Sequence, residues 1–213
     1  MDYQNPVLSD LFDEVVCKRI PSAKIRFKDK SVFMRFLGIL LFFNKRFMTD
    51  YITVIFNTVY FPSREWLGAH THSSVTILAH EYVHMVDSSK NKLFSILYLF
   101  PQILAVFAVF SFLSPWFLLA LVCLFPLPAP WRVNSEVNGY TMNMVFEQVL
   151  APVGYNVRVA ADLYAAKFVS SGYYWMAYRK APVARKLEKA FKELPTTHSA
   201  FIEVLEWLKT RKL

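Results

Sequence analysis

Charge is scarce in this chain. Only 19% of its 213 residues are Asp, Glu, Lys or Arg, against 55% that are apolar. Soluble domains average nearer ~25% charged and ~45–50% apolar, so this composition predicts that some apolar surface faces lipid. Cysteine is nearly absent: Cys17 and Cys123 exclude a disulfide framework and read as reduced packing residues. The opening residues, Met1 to Pro6, lack the basic and apolar regions of a secretory signal, which predicts an amino terminus that stays in the cytosol. No internal repeat and no low-complexity tract is visible.

The charge that is present is one-sided. A formal net charge of +8 suits an anionic partner, either a lipid headgroup surface or nucleic acid. No nucleic-acid-binding motif accompanies it, so nucleic acid is not expected. The length suits one domain, or one domain with an elaboration.

Leu8, Leu11, Phe12, Val15 and Val16 recur at helical spacing and predict an amphipathic helix over 8–19. A basic stretch over 18–30 follows, in which Ile25 and Phe27 alternate as in a short strand. Val32 to Phe43 is nearly all apolar and too short to cross a bilayer. It reads as an in-plane or partly inserted helix, or as an ordinary buried one. Residues 51–61 are β-branched and aromatic and predict antiparallel strands turning at Asn57, closed by Pro62 and Ser63. A helix is expected over 73–87, capped by Ser73 or Ser74.

From Leu93 to Trp131 the chain carries no charged residue. Breakers at Ser111, Ser114 and Pro115, and again at Pro126, Pro128 and Pro130, parse the run as a helix–turn–helix. The first arm, 93–110, is long enough to span a bilayer; the second, about 116–127, is short. A re-entrant hairpin and a soluble core hairpin are the alternatives. Beyond Val137 the chain reads as helical, with punctuation at Gly154 and Gly172. The tail from Arg179 onward is basic, on segments with apolar faces, which suits solvent or a membrane surface.

The chemistry is concentrated in His80-Glu81-Tyr82-Val83-His84. On a helix, positions i and i+4 share a face, so both imidazoles can reach one cation. Zinc accepts imidazole nitrogen and, with three protein ligands, keeps a position for water. Glu81 is placed to take the proton of that water, as a general base. A preceding edge strand could hold a substrate backbone alongside.

With this pentapeptide the chain resembles the zincin metallopeptidases, and among them the gluzincins, in which a Glu from a later helix is the third zinc ligand. The matching stretches are Ile52 to Asp87 and Trp131 to Tyr140, and Glu136 is the implied third ligand. An HExxH helix, an apolar hairpin and then the ligand Glu is similar to the HtpX and CAAX-prenyl-protease family of membrane gluzincins. That family usually carries Asp four residues after the ligand Glu; Tyr140 stands there in this chain.

The resemblance covers about residues 50–145; joined to the reading of the rest of the chain, it predicts one zincin-like domain over 1–213, mainly helical α+β. It would hold a small antiparallel sheet, the HExxH helix, an apolar hairpin inserted over 93–128, and a basic helical tail over 179–213. It also implies a peptide or protein substrate. Asp87 shares the face of His80 and His84, where it could buttress His84, cap the helix or simply be solvated. His70, His72, His198 and Tyr140 are candidates for stabilising a transition state, with ordinary packing as the rival role.

If His80, His84 and Glu136 share one zinc, both ends of the apolar run lie on one side of the membrane, which demands zero or two crossings. Lys90, Lys92 and Arg132 at its ends then put the catalytic site on the cytoplasmic face. The rival function is a membrane-inserting or membrane-remodelling protein, of a virus particle or toxin for example, with structural or vestigial zinc.

Overall fold

Capping side chains start several of the helices in the computed structural model, which describes residues 5–40, 46–55, 57–91, 93–124, 127–150, 153–173 and 175–211. Asn5 accepts from the Leu8 amide at 3.2 Å and Pro6 occupies the first helical position of α1 (Pro6–Leu11). This pairing satisfies one orphan donor and removes another. A π-helical turn (Phe12–Val16) and α2 (Cys17–Arg19) continue the rod. Leu8, Leu11, Phe12, Val15 and Val16 are all buried, as their spacing predicted.

The chain divides into two compact units, residues 1–85 with 199–213, and residues 86–198. The first holds a three-stranded sheet in the order β1 (Lys24–Phe27), β3 (Thr58–Phe61), β2 (Thr53–Ile55). β2 and β3 pair antiparallel, Thr53 opposite Tyr60, and Asn57 turns between them with φ of 59°, a value Asn tolerates. β1 pairs with β3 in parallel, Lys24 opposite Thr58. The sheet is therefore mixed, not antiparallel as expected. The chain between β1 and β3 is long enough to cross over, which a parallel pair requires.

Within that crossover α3 (Val32–Leu40) buries Met34 but exposes Val32, Phe33, Phe36 and Ile39. It is not an ordinary buried helix. The rest of the apolar stretch, 41–43, lies outside the described residues.

Ser63 caps α4 (Arg64–Ala69) by accepting from the Trp66 amide at 3.1 Å. α5 then runs Thr71–Lys90, starting earlier than expected. Ser73 and Ser74 lie inside it, their hydroxyls bonded back to the carbonyls of His70 and Thr71, a competition that short hydroxyl side chains offer in a first turn. α10 (Ser199–Arg211) buries Phe201, Val204, Trp207 and Leu208. Trp207 and Arg211 bond Glu14 at 3.1 and 2.6 Å. Tyr82, wholly buried, donates to Glu203 of the same helix.

In the second unit α6 (Phe94–Leu99) is followed by two 3₁₀ segments, Gln102–Phe112 and Pro115–Leu124, packed on each other. The first arm is thus not one helix over 93–110. Pro101 has no N–H and disfavours helix at the residue before it, so α6 stops there. Among the described residues no helix is long and apolar enough to cross a membrane. Val109, Phe112, Trp116 and Leu119 are 61–77% exposed.

α7 (Pro130–Leu150) begins at Pro130, a residue suited to a first helical turn although its class suggested a breaker. α8 (Val157–Phe168) is capped by Asn156, and Gly154 precedes it with φ of 80°, where a Cβ would be strained. Gly172 sits in a short 3₁₀ turn (Ser171–Tyr173) before α9 (Lys180–Thr197). Val133, Val137, Tyr140, Met144, Ala161, Ala165, Phe168 and Leu187 form the core here.

Candidate metal centre

The two histidines meet because α5 is regular through them. His80 and His84, four residues apart, turn their rings edge to face, with Nε2 atoms 3.1 Å apart. Both are buried, at 6% and 8% exposure, and so is Glu136 at 4%. One ligand atom from each of His80, His84 and Glu136 lies within 4.8 Å of the others. This buried group could hold a metal ion.

The donor set fits a divalent cation. With metal–nitrogen bonds of ~2.0–2.1 Å, two tetrahedral ligand atoms stand about 3.3 Å apart, close to the spacing of the imidazoles here. Two nitrogens and one carboxylate oxygen suit zinc and other borderline first-row metals alike. The carboxylate would offset part of the cation's charge away from water.

Glu81 follows His80 on α5 and is half-buried. Its electrostatic partner was not foreseen. Lys28, just past β1, is wholly buried. Its Nζ donates to the Phe47 carbonyl at 2.6 Å and stands 4.0 Å from the Phe47 ring centre. Burial pushes its pKa down to about 7, opposed by the attraction of Glu81. No signal in the basic stretch 18–30 separates Lys28 from its neighbours.

Glu136 sits in the second turn of α7. Its Oε1 accepts from the Tyr98 hydroxyl. Tyr98 also lies under the Arg132 guanidinium, 5.0 Å from ring centre to carbon. Tyr98 is the one tyrosine in the run from Leu93 to Trp131, a signal that composition alone hides.

Tyr140 is 4% exposed and its hydroxyl bonds that of Tyr173. It packs against Tyr164 and Phe168, with Lys167 Nζ 4.9 Å from its ring centre. Burial holds its pKa well above the ordinary tyrosine value, with the charges of Tyr173 and Glu136 adding to the effect. Asp87 is neither a helix cap nor simply solvated: Oδ1 faces His198 Nε2 at 2.8 Å, and Oδ2 accepts from Asn138 at 3.1 Å. His70 stacks on Trp66, with Nδ1 2.8 Å from the Trp66 carbonyl. His72 is exposed.

No protein-family model, curated protein or solved structure matches the chain.

Proposed function

We propose that this chain is a membrane-associated, zinc-dependent endopeptidase of the gluzincin type. One observation carries the reading: a buried His80, His84 and Glu136 group on whose first helix Glu81 directly follows His80. A buried cluster of two imidazoles and a carboxylate is costly to keep unless a cation or hydrogen bonds compensate it. When bound, zinc would polarise a scissile carbonyl and acidify water.

The chain's own residues have separate tasks. His80, His84 and Glu136 hold the ion. Glu81 accepts a proton from the attacking water and delivers it to the leaving amine. Lys28, when protonated, favours the ionised form of Glu81 that this task requires. β1 and β2 are the edges of the sheet, and an edge can take a substrate backbone as an added strand.

The membrane part of the proposal rests on the exposed apolar side chains between Val106 and Val122, more than a water-facing surface ordinarily carries together. With no helix of spanning length among the described residues, shallow or re-entrant attachment is the form proposed. Lys90, Lys92 and Arg132 favour the cytoplasmic face.

The same apolar surface supports a second reading, a membrane-inserting protein whose zinc is structural. One experiment separates the two. Wild type and Glu81→Gln are purified, their zinc measured, and both assayed on fluorescent casein and a quenched-peptide library. The peptidase reading expects about one zinc in each and turnover lower by ~10²–10⁴-fold in Glu81→Gln. His84→Ala should lose the metal. Zinc in both proteins with equal turnover would remove Glu81 from the mechanism, and a folded wild type that takes up no zinc would end the reading.

A further inference from the structure

Tyr98 is placed where a metal ligand needs support. It belongs to α6, at the start of the uncharged run, yet its hydroxyl reaches Glu136 Oε1 on α7. Its ring lies under Arg132, one helical turn before Glu136 on the same face. The guanidinium carbon stands 5.0 Å from the centre of that ring. The Tyr98 ring thus lies under a guanidinium while its hydroxyl holds a carboxylate. A phenol hydroxyl inside a run of Leu, Phe, Ile and Val needs a partner, and here the partner is the one carboxylate of the metal group.

We propose that Tyr98 is a positioning residue for the metal ligand Glu136, fixing the carboxylate's orientation by holding Oε1. The inference rests on the zinc reading above and extends it to a residue outside the HExxH motif. A ligating carboxylate held by an outer hydrogen bond has fewer orientations to lose on binding metal, and such partners commonly change metal affinity by ~10–100-fold. The phenol's hold on Oε1 would fix the carboxylate before a cation arrives. Arg132 packs its guanidinium over the Tyr98 ring, which restricts that ring's position, and its charge also acts on Glu136.

The test uses the full chain in three forms: wild type, Tyr98→Phe and Phe94→Leu. Tyr98→Phe deletes the hydroxyl and keeps the ring over Arg132. Phe94→Leu disturbs the same helix, since Phe94 stacks on Tyr98, but leaves the hydroxyl in place. Zinc affinity is measured by competition with a fluorescent chelator, and the cobalt-loaded proteins are compared by visible absorption. The expected result is zinc binding weakened by ~10–100-fold in Tyr98→Phe, with an altered cobalt spectrum, while Phe94→Leu matches wild type in both readouts. Equal zinc affinity and an unchanged cobalt spectrum in Tyr98→Phe would overturn the proposal, with the zinc reading intact. Equal losses in both variants would also overturn it, by reducing Tyr98 to a packing residue. A folded wild type that takes up no zinc would remove both this inference and the reading beneath it.

Discussion

Asp87 and His198 face each other with 2.8 Å between Oδ1 and Nε2, their side chains 18% and 10% exposed. The contact ties α5, one turn beyond His84, to the end of α9, and Asn138 of α7 closes the other carboxylate oxygen. Three helix segments are therefore pinned at one carboxylate. A charged acceptor this sheltered contributes more than a surface pair, because removing it strands two donors away from water.

Asp87→Ala should therefore destabilise the protein by about 1–3 kcal/mol. Asp87→Asn retains an acceptor for one of the two donors and should cost less. Urea unfolding of the metal-free variants checks both, and equal stability of wild type and Asp87→Ala would show the network to be idle.

Lys28 makes stability depend on pH in the same direction as the usual carboxylate case, but in a more alkaline window. Burial lowers its pKa to about 7 in the folded chain, while the unfolded chain returns it to ~10.4. Between those values the unfolded state binds the extra proton, so unfolding free energy rises with pH, by up to about 1.4 kcal/mol per pH unit. Lys167, also lowered by burial, adds a slope of the same sign. The window is best read from pH 7 to 9. Above it the buried tyrosines, whose pKa values burial raises, work the other way. Lys28→Met should flatten the slope without abolishing it, as denaturant midpoints across that window would show; an unchanged slope would mean Lys28 stays protonated in the fold.

The sequence made the first helix legible because its five apolar positions all point inward, and periodicity reports burial directly. The turn at Asn57 was legible for a local reason as well, since few residues accept its backbone conformation. The His80–His84 pair follows from helix geometry alone. Glu136 came from a family resemblance, and its place beside the histidines depends on packing that no spacing encodes. Parallel pairing of β1 with β3 was hidden, because strand patterns carry no direction. Pro101 was in plain view, but the apolar run around it masked its effect on α6. Lys28 and Tyr98 were illegible for the same physical reason: what distinguishes each is a partner distant in sequence, Glu81 for one and Glu136 for the other.

The apolar segment supplies the last prediction. Val109, Phe112, Trp116 and Leu119 stand 68, 76, 77 and 61% exposed, so substituting them removes little packing from the fold. Burying such side chains in lipid is worth about 1.5–3 kcal/mol each and is insensitive to salt. Attachment through the basic helices alone would be screened as the Debye length falls to about 3 Å at 1 M salt. Wild type should float with vesicles of neutral and anionic phospholipid at that ionic strength. Phe112→Asp combined with Leu119→Asp should keep the wild-type circular dichroism and weaken partitioning by at least ~100-fold, which two lost side chains of this size require. Protein that stays monodisperse without detergent and ignores the vesicles would remove the membrane from the proposal. The metal cluster would stand in that case, because His80, His84 and Glu136 are held by their own helices and Tyr98 by its hydrogen bond to Glu136.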